Sequence, residues 1–158
     1  FFAPSETFNL PGLQASVLII QNAELRQHYQ TARQMMLPWV NVMGLAAMQA
    51  AYRDGQPWLD QLLVYLEANR DFVHDFVANE LPGLSMAKPE GTYLAWIDCC
   101  DANLENPYEF FLNKAKVALS NGATYGTGGQ GFVRLNFGCP RSTLEEALLR
   151  MKQALNAR

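Results

Sequence analysis

Arg134 interrupts Phe132-Val133-Arg134-Leu135-Asn136-Phe137, a run otherwise suited to burial. Its planar fork can grip a carboxylate through two parallel hydrogen bonds, and that carboxylate could belong to a ligand or to an internal Asp or Glu. Alternation along a strand could instead turn Arg134 toward solvent, so the residues alone leave three uses open. The second candidate is Gly122-Ala123-Thr124-Tyr125-Gly126-Thr127-Gly128-Gly129-Gln130-Gly131, because glycine lets backbone approach a ligand closely. It is not a dinucleotide fingerprint, since a strand follows Gly131 in place of the helix whose N-terminus would hold a pyrophosphate. A flexible connection between two strands is the plainer reading.

Other reactive side chains lack partners at useful spacing. His28 and His74 fall on predicted helices among polar neighbours and read as surface histidines. Cys99, Cys100 and Cys139 are odd in number and have neither zinc-ligand nor redox C-x-x-C spacing, which points to reduced thiols of a cytosolic protein. No metal site is expected, and no Ser/His/Asp order, H-E-x-x-H or P-loop occurs.

These residues must be positioned by a chain of 158 residues, 49% hydrophobic and 17% charged, which can bury one core. A net charge of −3 with twelve scattered Lys and Arg residues argues against nucleic acid or an anionic membrane as partner. No apolar run reaches the ~20 residues needed to span a bilayer. The start, Phe1 to Leu13, has neither the features of a signal peptide nor an initiating Met, so the chain is expected to be a piece of a longer one.

Val17 to Ile20 predicts a strand, and Asn22 an N-cap for a helix to Arg33. Pro38 and Asn41 break the pattern before a helix over Val42 to Tyr52, stopped by Asp54-Gly55. Pro57 opens a long amphipathic helix that ends at Pro82-Gly83, its aromatic stripe read as core. Gly91 introduces a strand over Thr92 to Ile97, and Asp101 to Asn106 reads as a loop. Pro107 to Lys116 predicts a helix, while Val117 to Leu119 and Phe132 to Phe137 predict strands. Ser142-Thr143-Leu144-Glu145 has capping-box spacing for a last helix through Leu155. The sum is an α/β chain of α+β type, with a mixed, mainly antiparallel sheet covered by helices on one face.

Four segments, in order along the chain, resemble one known family. Ala3-Pro4-Ser5-Glu6-Thr7-Phe8-Asn9 followed by Gly12-Leu13-Gln14 is similar to its S-K-T-F-N…G-L-Q lysine segment. Ala50-Ala51-Tyr52, Gly55, Trp58-Leu59-Asp60, Tyr65-Leu66 and Asn69 match its A-A-Y-x-x-G-x-x-W-L-D…Y-L-x-x-N run. Glu90-Gly91-Thr92-Tyr93-Leu94-Ala95-Trp96-Ile97-Asp98 resembles E-G-T-Y-L-x-W-x-D, and Gly131 to Arg141 resembles G-F-V-R-L-N-x-G-C-P-R. The family is that of the MalY/PatB cystathionine β-lyases within the fold-type I aminotransferases, which depend on pyridoxal 5'-phosphate (PLP).

The resemblance implies the C-terminal domain of such an enzyme. Residues 1–33 would end the large cofactor-binding domain, 34–56 form the connecting helix and 57–158 the small domain. Arg134 would bind the substrate α-carboxylate, Tyr93 and Tyr125 would approach the same pocket, and Ser5 would stand near the cofactor phosphate, where Ala3 replaces another serine. Glu6 occupies the place of the lysine that holds PLP as a Schiff base. A carboxylate forms no Schiff base, and its charge opposes a phosphate. The intact family enzyme would be a cytoplasmic homodimer acting on amino acids such as cystathionine, by C–S lysis or transamination, whereas this chain alone is expected to be inactive and to bind PLP weakly or not at all. Two alternatives stay open: a non-catalytic regulatory or binding relative, and an ordinary enzyme whose lysine was replaced. Apolar residues such as Phe1, Phe2, Phe8 and Leu10 would be left without partners, favouring self-association or a disordered start.

Overall fold

The structure, a computed structural model, describes residues 1–34 and 39–158; the break expected at Pro38 lies outside them. The chain divides into two compact units, Phe1–Leu63 and Val64–Arg158.

In the first unit, Pro4 to Asn9 forms a turn closed by Phe8 N–H donating to the Pro4 carbonyl at 2.9 Å, and Pro11–Leu13 a 3-10 turn. The expected strand over Val17 to Ile20 does not form. Val17 makes only an isolated antiparallel bridge to Phe2, because β-branched residues become a strand only where a neighbour supplies a ladder. That bridge links Phe2 to Val17, and Phe1 is 84% exposed. Phe8 is not orphaned: it packs edge-on to Tyr52 and stacks on Trp58. Helix α1, Ala23–Arg33, begins as expected, with the Asn22 side chain accepting from Leu25 N–H. Helix α2, Val42–Asp54, is capped by Asn41, whose amide also donates to the Leu13 carbonyl at 3.0 Å.

Helix α3, Gln56–Glu80, leads into the second unit. There β1 (Ser85–Met86), β2 (Leu94–Asp98), β3 (Ser120–Asn121) and β4 (Phe132–Asn136) form one sheet in the order β1-β2-β4-β3, with every pairing antiparallel. β2 starts two residues later than expected because Thr92 sits at φ 67°, outside the extended region. The strand expected over Val117 to Leu119 is displaced to Ser120–Asn121, where β4 is within pairing reach. Helix α4, Pro107–Phe110, winds on through a π-turn over Phe111–Ala115, so the expected helix is present but irregular.

One face of the sheet sends Ala95, Ile97, Val133 and Leu135 into a core shared with Val73 and Val77 of α3, with Phe111 and Phe137, and with Leu144, Leu148, Met151 and Leu155 of helix α5, Arg141–Asn156. The expected capping box is absent: α5 starts earlier, at Arg141, with Pro140 at its N-cap and no side-chain cap. The Arg141 N–H instead donates to the Tyr65 hydroxyl at 2.7 Å, while the Arg141 guanidinium reaches the Ala68 carbonyl and lies 4.3 Å above the Phe72 ring.

Asn69 is fully buried, and its amide donates to the carbonyls of both Phe137 and Cys139 at 3.0 Å. Helix α3 thereby pins the exit of β4. Removing the amide leaves two carbonyls short of a donor, so Asn69→Ala is expected to cost about 3 kcal/mol, read from the urea midpoint. A loss under about 1 kcal/mol would mean that those carbonyls find other donors.

Candidate functional site

The face of the sheet opposite the core carries Trp96 on β2, Arg134 on β4 and Ser120 on β3, and the register makes them one row: Trp96 pairs with Arg134, and Arg134 with Ser120. The period of two that buries Val133 and Leu135 necessarily sends Arg134 to this side.

No carboxylate pairs with Arg134 among the described residues, so the internal salt bridge is not formed, and Arg134 is half-buried on this face. One guanidinium N–H donates to Ser120 Oγ at 3.3 Å, and Cζ lies 4.8 Å from the Tyr125 ring centroid. A cation over an aromatic face gains from the ring while its N–H groups stay able to donate elsewhere. Among the described residues one of its five donors is used, which leaves enough for a two-point grip on a carboxylate.

Tyr125 is carried by the Gly-rich segment, which is not the flexible connection expected. It folds into two 3-10 turns, Gly122–Tyr125 and Thr127–Gly129, with Asn121 capping the first through the Ala123 N–H. Gly122 and Gly129 touch backbone to backbone, so closely that a Cβ on Gly129 would stand 1.9 Å from the Gly122 carbonyl oxygen.

The remaining candidates are spread out. Tyr93 flanks the far end of β4, its carbonyl accepting from Phe137 N–H at 2.9 Å and its ring lying against Gly138. Ser5 and Glu6 lie in the Pro4–Asn9 turn of the first unit, Ser5 partly buried and Glu6 exposed. Sequence reasoning missed Ser120, Trp96 and Asn69; alternation on β2 and β4 could have paired Trp96 with Arg134, but Ser120 depends on a register that only folding reveals.

All three cysteines are free thiols. Burial, with help from Asp98 and Cys100, pushes the Cys99 thiol up to about 12. The exposed Cys100 is raised chiefly by its hydrogen bond to Asp98. Burial both shields the Cys99 thiol and keeps it protonated, so N-ethylmaleimide at pH 8 is expected to label the exposed Cys100, with Cys99 reacting on the order of a hundredfold slower until the chain unfolds. Peptide mapping checks this, and equal rates would contradict the burial of Cys99. Because its folded value lies above its unfolded one, this thiol's contribution to stability is complete below about pH 9 and is lost as pH rises toward 12.

Residues 5–151 match the family model for aminotransferase class I and II. The chain belongs to that family. Among curated relatives, cystathionine β-lyase PatB of Bacillus subtilis is 42% identical across 98% of the chain, which covers 41% of PatB. Among solved structures, OvoB superposes with a TM-score of 0.92 at 48% identity, over 98% of this chain and 40% of that one. Cystalysin from Treponema denticola, whose crystal structure contains a PLP cofactor, gives 0.92 at 32% identity, over 98% and 40%. The chain thus spans about two fifths of the length of these relatives. The resemblance read from the four motifs is borne out. Among the described residues no helix is long and apolar enough to cross a membrane, and no group of three or more His, Cys, Asp or Glu is placed to hold a metal ion.

Proposed function

We propose that this chain is the carboxylate-recognising, C-terminal portion of a PLP-dependent enzyme acting on amino acids, an aminotransferase or C–S β-lyase that is homodimeric when complete, with residues 57–158 as its small domain. The observation that carries the reading is Arg134, which donates to Ser120 and lies against Tyr125 with no carboxylate paired to it among the described residues. Arg134 anchors the α-carboxylate, Ser120 and Tyr125 keep its fork aimed, and Tyr93 borders the pocket beyond β4. PLP would supply an electron sink and a carbonyl for condensation with an amine.

The residues present do not fit that cofactor. The turn bearing Ser5 has Glu6 at the lysine's place, and the first lysine in the chain is Lys88, so residues 1–63 offer the aldehyde no side-chain amine. The exposed Glu6 carboxylate can accept a proton but cannot condense with a carbonyl. With no side-chain amine there to condense with PLP, this chain is inactive by itself. Glu6 equally favours a second reading, a non-catalytic binding or regulatory relative that keeps the anion site and has lost the chemistry.

Both readings need Arg134 to hold a carboxylate. Titrating the folded chain with propionate, followed by amide chemical shifts, is expected to move resonances of β3, β4 and the Tyr125 turn. Arg134→Gln is expected to weaken binding by about tenfold or more, and Arg134→Lys to recover only part, because a point charge cannot grip two oxygens. Unchanged affinity in a folded Arg134→Gln chain would refute the assignment.

A further inference from the structure

We infer that the groove between residues 116–119 and helix α5 is a second small-molecule site, one that takes an apolar α-amino acid. The inference does not rest on the reading of Arg134, since neither Arg134 nor Ser120 nor Tyr125 lines the groove.

The groove exists because the sheet stops short there. β3 pairs with β4 only through Ser120 and Asn121, opposite Arg134 and Val133. Ahead of Ser120 the chain leaves β4 unpaired, and a cavity of about 430 Å³ opens beside it, a size within the range of small-ligand sites. Strand parity decides what β4 turns toward that gap. Phe137 N–H donates to the Tyr93 carbonyl and Cys99 N–H to the Gly131 carbonyl, so the odd-numbered residues of β4 spend their backbone groups on β2. The even-numbered ones face the other way: Arg134 toward Ser120, and Asn136 toward the place Ala118 would take if the ladder went on. Among the described residues Asn136 has no backbone partner on that side, so one N–H donor and one C=O acceptor stand together at the rim of the cavity.

Lys116 supplies the charge. It closes the π-turn over Phe111–Ala115 in the left-handed conformation, at φ 56° and ψ 38°, where glycine is the usual occupant. The side chain kept there against that backbone preference is an amine with no ion-pair partner among the described residues. Arg150 also lines the groove, but Glu146 holds it. Val117, Leu119, Leu144 and Ala147 add an apolar wall. Together these set the ligand. An amine and a carboxylate on one carbon match the Asn136 N–H and C=O as an opposing strand residue would, which leaves a second carboxylate oxygen for Lys116. An apolar side chain then covers the wall.

The test is a titration of the folded chain with leucine, 4-methylpentanoate, leucinamide and glycine, followed by amide chemical shifts. Leucine is expected to move resonances of residues 116–119, Asn136 and residues 143–147. It is expected to bind about tenfold tighter than each of the other three, which lack in turn the amine, the carboxylate and the apolar side chain. Lys116→Gly relaxes the left-handed position, so that chain is expected to fold and to bind leucine and leucinamide within about threefold of each other. The comparison in the native chain decides even if the variant fails to fold. No leucine binding, shifts confined to Arg134 and the Tyr125 turn, or equal binding of the four compounds overturns the site. An undiminished preference for leucine over leucinamide in folded Lys116→Gly overturns the role of Lys116 and the inference with it. Failure of propionate to bind concerns Arg134 alone and leaves these outcomes readable.

Discussion

Changing Glu6 to lysine is expected to make residue 6 the preferred attachment point for PLP in this chain. In the native sequence, borohydride trapping after incubation with PLP should leave residue 6 unmodified and mark the α-amine of the chain and the four lysines, Lys88, Lys114, Lys116 and Lys152. Two of these are engaged in ion pairs, Lys88 with Asp71 at 2.8 Å and Lys152 with Glu80. In Glu6→Lys the new amine replaces a negative charge next to Ser5. Adduct at residue 6 is expected to form about tenfold faster than at any native lysine, because reversal of charge favours the phosphate and a positioned amine gains over a free one. Peptide mapping of the reduced chain reads the ratio. Uniform labelling of all five lysines would show that the Pro4–Asn9 turn is no cofactor cradle. An aldimine absorbance band from the native chain, trapped at a specific residue, would remove the case for loss of the cofactor.

The second large effect is expected from Gly129→Ala. The added Cβ would collide with the Gly122 carbonyl, backbone against backbone, and neither side can yield by rotating a side chain. The two 3-10 turns must separate, which is expected to cost about 3 kcal/mol and to withdraw Tyr125 from Arg134. Stability and propionate affinity should therefore fall together. Gly128→Ala is the control: a Cβ there meets nothing within 4 Å, and a change within about 0.5 kcal/mol is expected. Equal effects at the two positions would mean that the contact between Gly122 and Gly129 does not shape the loop.

How much of this could be read from the chain depended on how far apart the interacting residues lie. Helices α1, α2 and α3 were legible because their signals are local: Asn22 caps Leu25 three residues on, and Gly55 follows the last turn of α2. The start of α5 was misread because its first N–H is satisfied by Tyr65, 76 residues away, leaving Ser142 with no capping task. Val17 to Ile20 and Val117 to Leu119 have strand-like composition, but strands are made by partners, and composition does not name them. The site divides in the same way. Arg134 stood out as a charge among apolar neighbours, whereas its company of Ser120, Tyr125 and Trp96 comes from three other segments and followed only from the register.

The sheet order places the two five-residue strands, β2 and β4, side by side in the middle and leaves a two-residue strand at each margin. Long strands at a margin are templates on which further chains can add, the geometry of fibre growth. Here the hydrogen-bonding capacity most able to recruit a stranger is spent internally, and what faces outward is too short to hold one in register. A chain with this many apolar side chains at its surface is thereby steered toward side-chain contacts, which saturate, and away from open-ended strand addition, which does not.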